Sequence, residues 1–169
     1  ILNNMSEATR LEHSLDKDDI ESFDLIELVR GCVEGYSQAF PTARFDLSIE
    51  ESAVPVTGIP DLIAQLFDKL ISNAVEFSLP DTAIKVRLTI EDEVAVLRVM
   101  NQGPGLPENM RENLFDSMVS VRGRYDGSSS HLGLGLYIAK VITEFHGGDI
   151  KLSNREDSHG VVATVRIPL

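Results

Sequence analysis

The sequence predicts an α+β fold, one sheet lying under a helical layer, and three observations carry that prediction. Residues 60 to 78 repeat apolar side chains at intervals of three and four. Residues 83 to 90 and 94 to 100 alternate or run apolar as a strand pair, and the chain closes on a helical stretch (134 to 145) followed by two more strand patterns (149 to 153 and 161 to 167). Strands and helices come in mixed order, as in a two-layer sandwich. No internal repeat is visible.

Residues 1 to 15 set Ile1, Met5, Ala8, Leu11 and Leu15 on one helical face, the expected end of a longer helix, and Asp16-Lys17-Asp18-Asp19 reads as a linker. A domain is expected over 20 to 169. Within it, Leu25, Leu28, Val29, Val33 and Tyr36 mark a helix over 24 to 37, and short strands are expected at 44 to 49 and 54 to 57. Pro60 suits the first turn of the next helix, and Leu79-Pro80 stops it. Glu91-Asp92-Glu93 is a tight turn between the paired strands, and Asn101 to Pro107 is a turn-forming loop. A short helix at 111 to 115 and a Gly- and Ser-rich stretch at 122 to 130 follow, a length with little periodicity that reads as a lid or binding loop. His146-Gly147-Gly148 closes the last helix. The three main helices are thus those at 24 to 37, 60 to 78 and 134 to 145.

The chain has 169 residues, 43% hydrophobic and 25% charged, which fits a globular domain with a sizeable core. Its 27 acidic against 15 basic residues give a net charge of −12, which opposes nonspecific binding to nucleic acid, so no nucleic-acid partner is expected. A local basic spot still leaves room for a nucleotide. No run of about 18 apolar residues and no basic, apolar leader occurs, so this stretch is not expected to insert in a membrane. Cys32 alone cannot form an internal disulfide, and His13, His131, His146 and His159 are too scattered for a local zinc pattern. A cytosolic setting is the expectation, and Ile at position 1 suggests a piece of a longer protein.

Three segments carry chemistry. On the 60 to 78 helix, Gln65, Lys69, Asn73 and Glu76 stack into a polar stripe opposite the apolar face of Leu62, Ile63, Leu66, Phe67, Leu70, Ile71, Ala74, Val75 and Phe77. The amide oxygen of Asn73 suits a hard cation such as Mg²⁺; a solvated helix face is the plainer alternative. Gly103 and Gly105 bracket Pro104 after a strand, where a backbone without Cβ lets a flat ligand approach, or simply turns. Gly133 and Gly135 in His131-Leu132-Gly133-Leu134-Gly135-Leu136 open the last helix, where exposed N–H groups and the helix dipole suit a phosphate; close helix-to-sheet packing is the alternative. A Ser-rich loop precedes Gly133, so a Rossmann site is excluded, and Walker A and eukaryotic kinase signatures are absent.

In this order and spacing the segments resemble the catalytic ATP-binding domain of bacterial sensor histidine kinases, in the wider family of gyrase B, Hsp90 and MutL. Over roughly 20 to 169, Leu70 to Ser78 is similar to the N box, Asn101 to Pro107 to the first glycine box, Leu114-Phe115-Asp116 to the F box and Gly133-Leu134-Gly135-Leu136 to the second glycine box. His146-Gly147-Gly148 and the ending Arg166-Ile167-Pro168-Leu169 also fit.

The resemblance implies a Bergerat-type fold with a mixed sheet, Mg²⁺ on Asn73, and ATP held by Lys69, Asn73, Phe77, Asn101, Gly103, Gly105, Leu106, Phe115, Leu132, Gly133, Leu134, Gly135 and Leu136. It implies transfer of the γ-phosphate to a histidine on a separate two-helix dimerisation domain, and then to a response regulator. Residues 1 to 19 would be the end of that domain and its linker, and the parent a homodimer, cytosolic in this portion and anchored in the inner membrane. His13 lacks the proline that follows the family's phosphoacceptor, so no catalytic residue is assigned within this chain.

Three departures stand out. The family usually has Asp at the position of Asn101, Asn at that of Lys69 and a basic residue at that of Glu76. Replacing a charge-assisted bond to the adenine amino group by a neutral one costs about 1 kcal/mol. A positive charge shifted from 76 to 69 would let Lys69 meet a phosphate, and Arg122 and Arg124 are further candidates. A noncatalytic nucleotide-binding or scaffold module is the alternative that these departures leave open, and an ATPase clamp of the gyrase or Hsp90 kind is a third class.

Overall fold

The computed structural model describes residues 19–106, 130–156 and 159–169, the side chains of 130–134 excepted. The expected helix at 1 to 15, the short helix at 111 to 115, Arg122 and Arg124 lie outside the described residues. In chain order the elements are β1 (Glu21–Asp24), α1 (Leu25–Ala39), β2 (Arg44–Ile49), β3 (Pro55–Gly58), α2 (Pro60–Phe77), β4 (Ala83–Glu91), β5 (Val94–Gln102), α3 (Ser130–Phe145), β6 (Asp149–Asn154) and β7 (Gly160–Pro168).

Five strands form a mixed sheet in the order β2-β4-β5-β7-β6, with β2 and β4 parallel and every other neighbour antiparallel. The helices layer against it: α1 meets β2, α2 meets β5, and α3 meets β6 and β7, with α2 in contact with both other helices. This is the α+β sandwich that the sequence predicts. β1 and β3 form a separate antiparallel pair. β1 carries no local signal in the sequence. Four residues with one large apolar side chain, Phe23, carry too little alternation to be read.

Strand alternation builds the sheet side of the core. On β4, Ile84, Val86 and Leu88 are buried while Lys85 and Arg87 between them are exposed. On β5 and β7 the inward sets are Ala95, Leu97 and Val99, and Ala163, Val165 and Ile167. The two-residue turn Asp92-Glu93 joins β4 to β5, both residues at positive φ (51° and 63°), as a primed hairpin turn demands.

The helical side rests on α2, where Leu62, Ile63, Leu66, Phe67, Leu70, Ile71 and Ala74 are buried. Val75 and Phe77 are only partly so, which narrows the expected apolar face at the C-terminal end. Asp24 ties the first elements together: one of its oxygens accepts from the N–H of Ile26, capping α1, and from the N–H of Val54, both at 3.0 Å. Tyr36 seats α1 on α2, its ring 5.6 Å from that of Phe67, and burial pushes its hydroxyl well above the ordinary phenol value.

α2 has no side-chain cap at Ile59; an imidazole from across the fold does part of that work. The Ile59 N–H donates to His146 Nε2 at 3.1 Å, and His146 Nδ1 lies 2.7 Å from the carbonyl oxygen of Ile142. Accepting at Nε2 fixes the proton on Nδ1, so the ring must be neutral to make both bonds. It lies directly over Gly58, where a Cβ would collide with it. Gly147 then turns at φ +78°, and its N–H donates to the carbonyl of Glu144 as α3 ends.

Burial lowers the pKa of His146 from its ordinary 6.5, outweighing the opposite pull of the Ile142 carbonyl. As pH falls the unfolded chain takes up this proton first. The latch therefore contributes fully above the unfolded value and is lost as pH falls through the lowered folded value. We expect the urea midpoint to drop between pH 7.5 and 5.5, and His146→Ala to lose about 1–2 kcal/mol at pH 7.5 and less at pH 5.5. An equal loss at both pH values would contradict the latch.

Candidate functional site

β5 runs two residues beyond its apolar stretch. Asn101 and Gln102, expected in the loop, instead pair with Val161 and Gly160 of β7. Alternation from Ala95, Leu97 and Val99 then puts Asn101 on the inward face, where it is 5% exposed. Its amide nitrogen is buried with no hydrogen-bond partner among the described residues.

The chain leaving Asn101 is held at three points. The Leu79 N–H, just past α2, donates to the carbonyl of Gln102 at 2.8 Å, and the Gly103 N–H donates to the carbonyl of His159 at 3.1 Å. The Leu106 N–H donates to Asn154 Oδ1 at 2.7 Å. A Cβ on Gly103 would collide with the carbonyl oxygen of Phe77, so only glycine lets the end of α2 close on the end of β5. Asn154 Oδ1 lies 3.0 Å from where a Cβ of Gly105 would stand.

Between these walls lies a cavity of about 280 Å³. Its helical side is Leu70, Asn73, Ala74 and Phe77 of α2, positions one turn apart on one face, with Leu136 of α3. Its floor is Val99, Asn101, Leu152, Val161 and Ala163, and its rim Pro104, Gly105 and Leu106. Ala163 pairs with Val99 on one side and Leu152 on the other, and its small side chain leaves the floor low. Asn73 and Asn101 are the polar side chains among the described lining residues, and the amide nitrogen of Asn73 is also buried without a partner. An apolar slot with two convergent amides is suited to a flat heterocycle bearing polar edges.

Of the residues named from the sequence, Asn73, Phe77, Asn101, Gly105, Leu106 and Leu136 line this cavity. Lys69, Gly103 and Gly135 do not; Gly103 shapes it from behind, and the Lys69 stem lies 3.8 Å from where a Cβ of Gly135 would stand. A Cβ at Gly135 would make only ordinary contact there. α3 begins at Ser130 rather than at 134, so Gly133, expected just ahead of the helix, lies in its first turn and Gly135 in its second. The side chains of Leu132 and Leu134 lie outside the described residues, as does Phe115.

Leu70, Ala74, Val99, Pro104, Leu152, Val161 and Ala163 line the cavity without having been named as site residues from the sequence, and Asn154 supports it unforeseen. Extending the β5 alternation would have found Val99, but the Asn154 contact, 48 residues from its partner, leaves no local signal. Gln65 and Glu76 are exposed, so the polar stripe divides: two members meet solvent while Asn73 turns its amide nitrogen inward. Among the described residues no group of three or more His, Cys, Asp or Glu could hold a metal ion.

A helical layer over a mixed sheet, with an apolar slot holding two amides between them, suits a site for a flat polar-edged ligand such as a nucleotide base. The family model for histidine kinase-, DNA gyrase B- and HSP90-like ATPases matches residues 58–169, and the chain belongs to this family. Its relatives are sensor histidine kinases. The chain is 28% identical to the sensor protein ChvG of Agrobacterium fabrum, over 100% of this chain and 30% of that protein. It is 31% identical to the sensor histidine kinase GtrS of Pseudomonas aeruginosa (89% and 29%) and 36% identical to the sensor protein BasS of Escherichia coli (72% and 32%). The chain therefore spans about a third or less of these relatives. The solved catalytic domain of histidine kinase ThkA superposes with a TM-score of 0.75 at 27% identity, covering 88% of this chain and 95% of that one. ThkA has also been solved in complex with the response regulator protein TrrA.

The closure at Gly103 has a measurable consequence. Gly103→Ala, whose methyl meets backbone, should destabilise the fold by about 2–3 kcal/mol in urea, whereas Gly105→Ala, whose methyl meets a movable side chain, should cost less than about 1 kcal/mol. The reverse order would overturn the assignment of Gly103 to the closure.

Proposed function

We propose that this chain is the ATP-binding catalytic part of a sensor histidine kinase, and that its nucleotide base enters the cavity between α2 and the sheet. The observation that carries the reading is the pair of buried, unpartnered amides of Asn73 and Asn101 lining one apolar slot. A buried donor without a partner is costly, so two lining one cavity are best explained by a polar ligand that completes them.

In this reading Asn101 meets the polar edge of adenine, and Phe77, Val99, Leu106 and Leu136 enclose its faces. Asn73, one helical turn before Phe77, stands where the phosphates leave the slot. Its amide oxygen is a hard donor that fits Mg²⁺, which usually keeps several waters and phosphate oxygens beside one or two protein ligands. When bound, Mg²⁺ neutralises charge on the phosphate oxygens. The positive end of the α3 dipole, with Gly133 and Gly135 in its first turns, and the Lys69 ammonium supply further countercharge.

Phosphoryl transfer asks for positioning and charge neutralisation more than for covalent chemistry from the protein. The acceptor is a histidine on a dimerisation domain, and the next acceptor a response regulator, as the ThkA complex suggests. Residues 1 to 19 are the end of that dimerisation domain and its linker, and the parent kinase is a homodimer. No helix among the described residues is long and apolar enough to cross a membrane. In this reading the catalytic part works in the cytoplasm.

Calorimetry tests the site. Asn73→Ala should weaken Mg·ATP binding by about tenfold or more and abolish its dependence on Mg²⁺, with the melting temperature nearly unchanged. Unaltered affinity would remove Asn73 from the site, and no heat from the unmodified chain at millimolar Mg·ATP would favour a degenerate scaffold. Incubated alone with labelled Mg·ATP, the chain should not phosphorylate itself; acid-labile label on His13 would refute the division of labour.

A further inference from the structure

Asn101 is the described side chain that would read the base, and it is an amide where an acceptor alone would suffice for an exocyclic amino group. Its Nδ2 is buried and unpartnered, 3.5 Å from where a Cβ of Gly103 would stand, and Asn101 lines the cavity with Val99, Val161 and Ala163. The slot therefore offers the base an N–H donor as well as a carbonyl acceptor. The one other polar side chain among the described lining residues, Asn73, is also a carboxamide, so no charge imposes a polarity on the base.

A 6-aminopurine presents a donor at N6 and an acceptor at N1. A 6-oxopurine presents the reverse, an acceptor at O6 and a donor at N1. A carboxamide matches either edge by turning over: Oδ1 to the N6 amino group with Nδ2 to N1, or Nδ2 to O6 with Oδ1 to the N1–H. A carboxylate only accepts: held opposite the 6-position it bonds the N6 amino group and repels O6, so there it favours the 6-aminopurine.

We infer that Asn101 sets a relaxed purine specificity, the site accepting 6-oxopurine as well as 6-aminopurine nucleoside triphosphates. The inference rests on the nucleotide-site reading above and goes beyond it to the substrate class. The described wall around it is apolar and indifferent to which end of the amide faces the base. The bidentate edge contact is what discriminates between bases.

Calorimetric titration of the full chain with Mg·ATP and with Mg·ITP tests it; ITP lacks the 2-amino group of guanine, so the comparison reports the 6-position and N1 alone. The unmodified chain should bind the two within about tenfold of each other, and Asn101→Asp should widen the preference for ATP by about tenfold or more. ATP bound with ITP rejected by more than about a hundredfold overturns the inference and leaves the nucleotide site standing. An unchanged ratio in a folded Asn101→Asp chain also overturns it. Should that variant fail to fold, the ratio in the unmodified chain decides by itself. No binding of either nucleotide removes the site and this inference together.

Discussion

The site depends on how closely the end of α2 approaches the end of β5. Two backbones meet there with no side chain between them: the Phe77 carbonyl occupies the space a Cβ of Gly103 would fill, and the Leu79 N–H reaches the Gln102 carbonyl. Helix phase and strand phase are coupled at this point. With α2 locked to β5, the face carrying Leu70, Asn73, Ala74 and Phe77 overlies Val99 and Asn101, and the space left between them is the cavity. A bulkier residue at 103 would part the two elements, and Asn73 and Asn101 would no longer share a wall.

The opposite end of α2 is fixed by different means. His146 bonds the Ile59 N–H from the end of α3, so the helix is held at its start by a neutral imidazole and at its finish by backbone. Between these anchors seven buried side chains fill the space beside the sheet, and truncating any large one would cost about 2–5 kcal/mol. Such a rigid frame can carry two buried amide donors without partners, each a cost of about 1–3 kcal/mol. Local rules broken inside an otherwise consistent fold mark a functional site.

Most of this frame was legible in the sequence. Pro60, the three-and-four spacing and Leu79-Pro80 bounded α2, and alternation gave β4 and most of β5, because these signals are local. What escaped was decided by distant partners. Asn101-Gln102-Gly103 has the composition of a turn, yet pairing with Val161 and Gly160 draws its first two residues into the sheet. β1 exists because β3 offers it a partner, and Asn154 steadies Leu106 across 48 positions. The glycine pairs were readable as special places, but not in their roles: Gly103 serves closure, whereas a Cβ at Gly135 would meet only the Lys69 stem at ordinary contact distance.

Charge supplies the last constraint. A chain of net charge −12 that takes up a triphosphate works against its own field, and a carboxylate within an apolar slot would add to the repulsion where water screens least. The described wall carries none: both polar lining side chains are neutral amides. Neutrality has a chemical corollary. A carboxylate only accepts and commits a site to ligands that donate, whereas an amide does both. The substitution that spares an acidic protein an extra negative charge beside its anionic ligand also gives the base site two readable faces. Economy of charge and breadth of base recognition are therefore consequences of one side chain, Asn101.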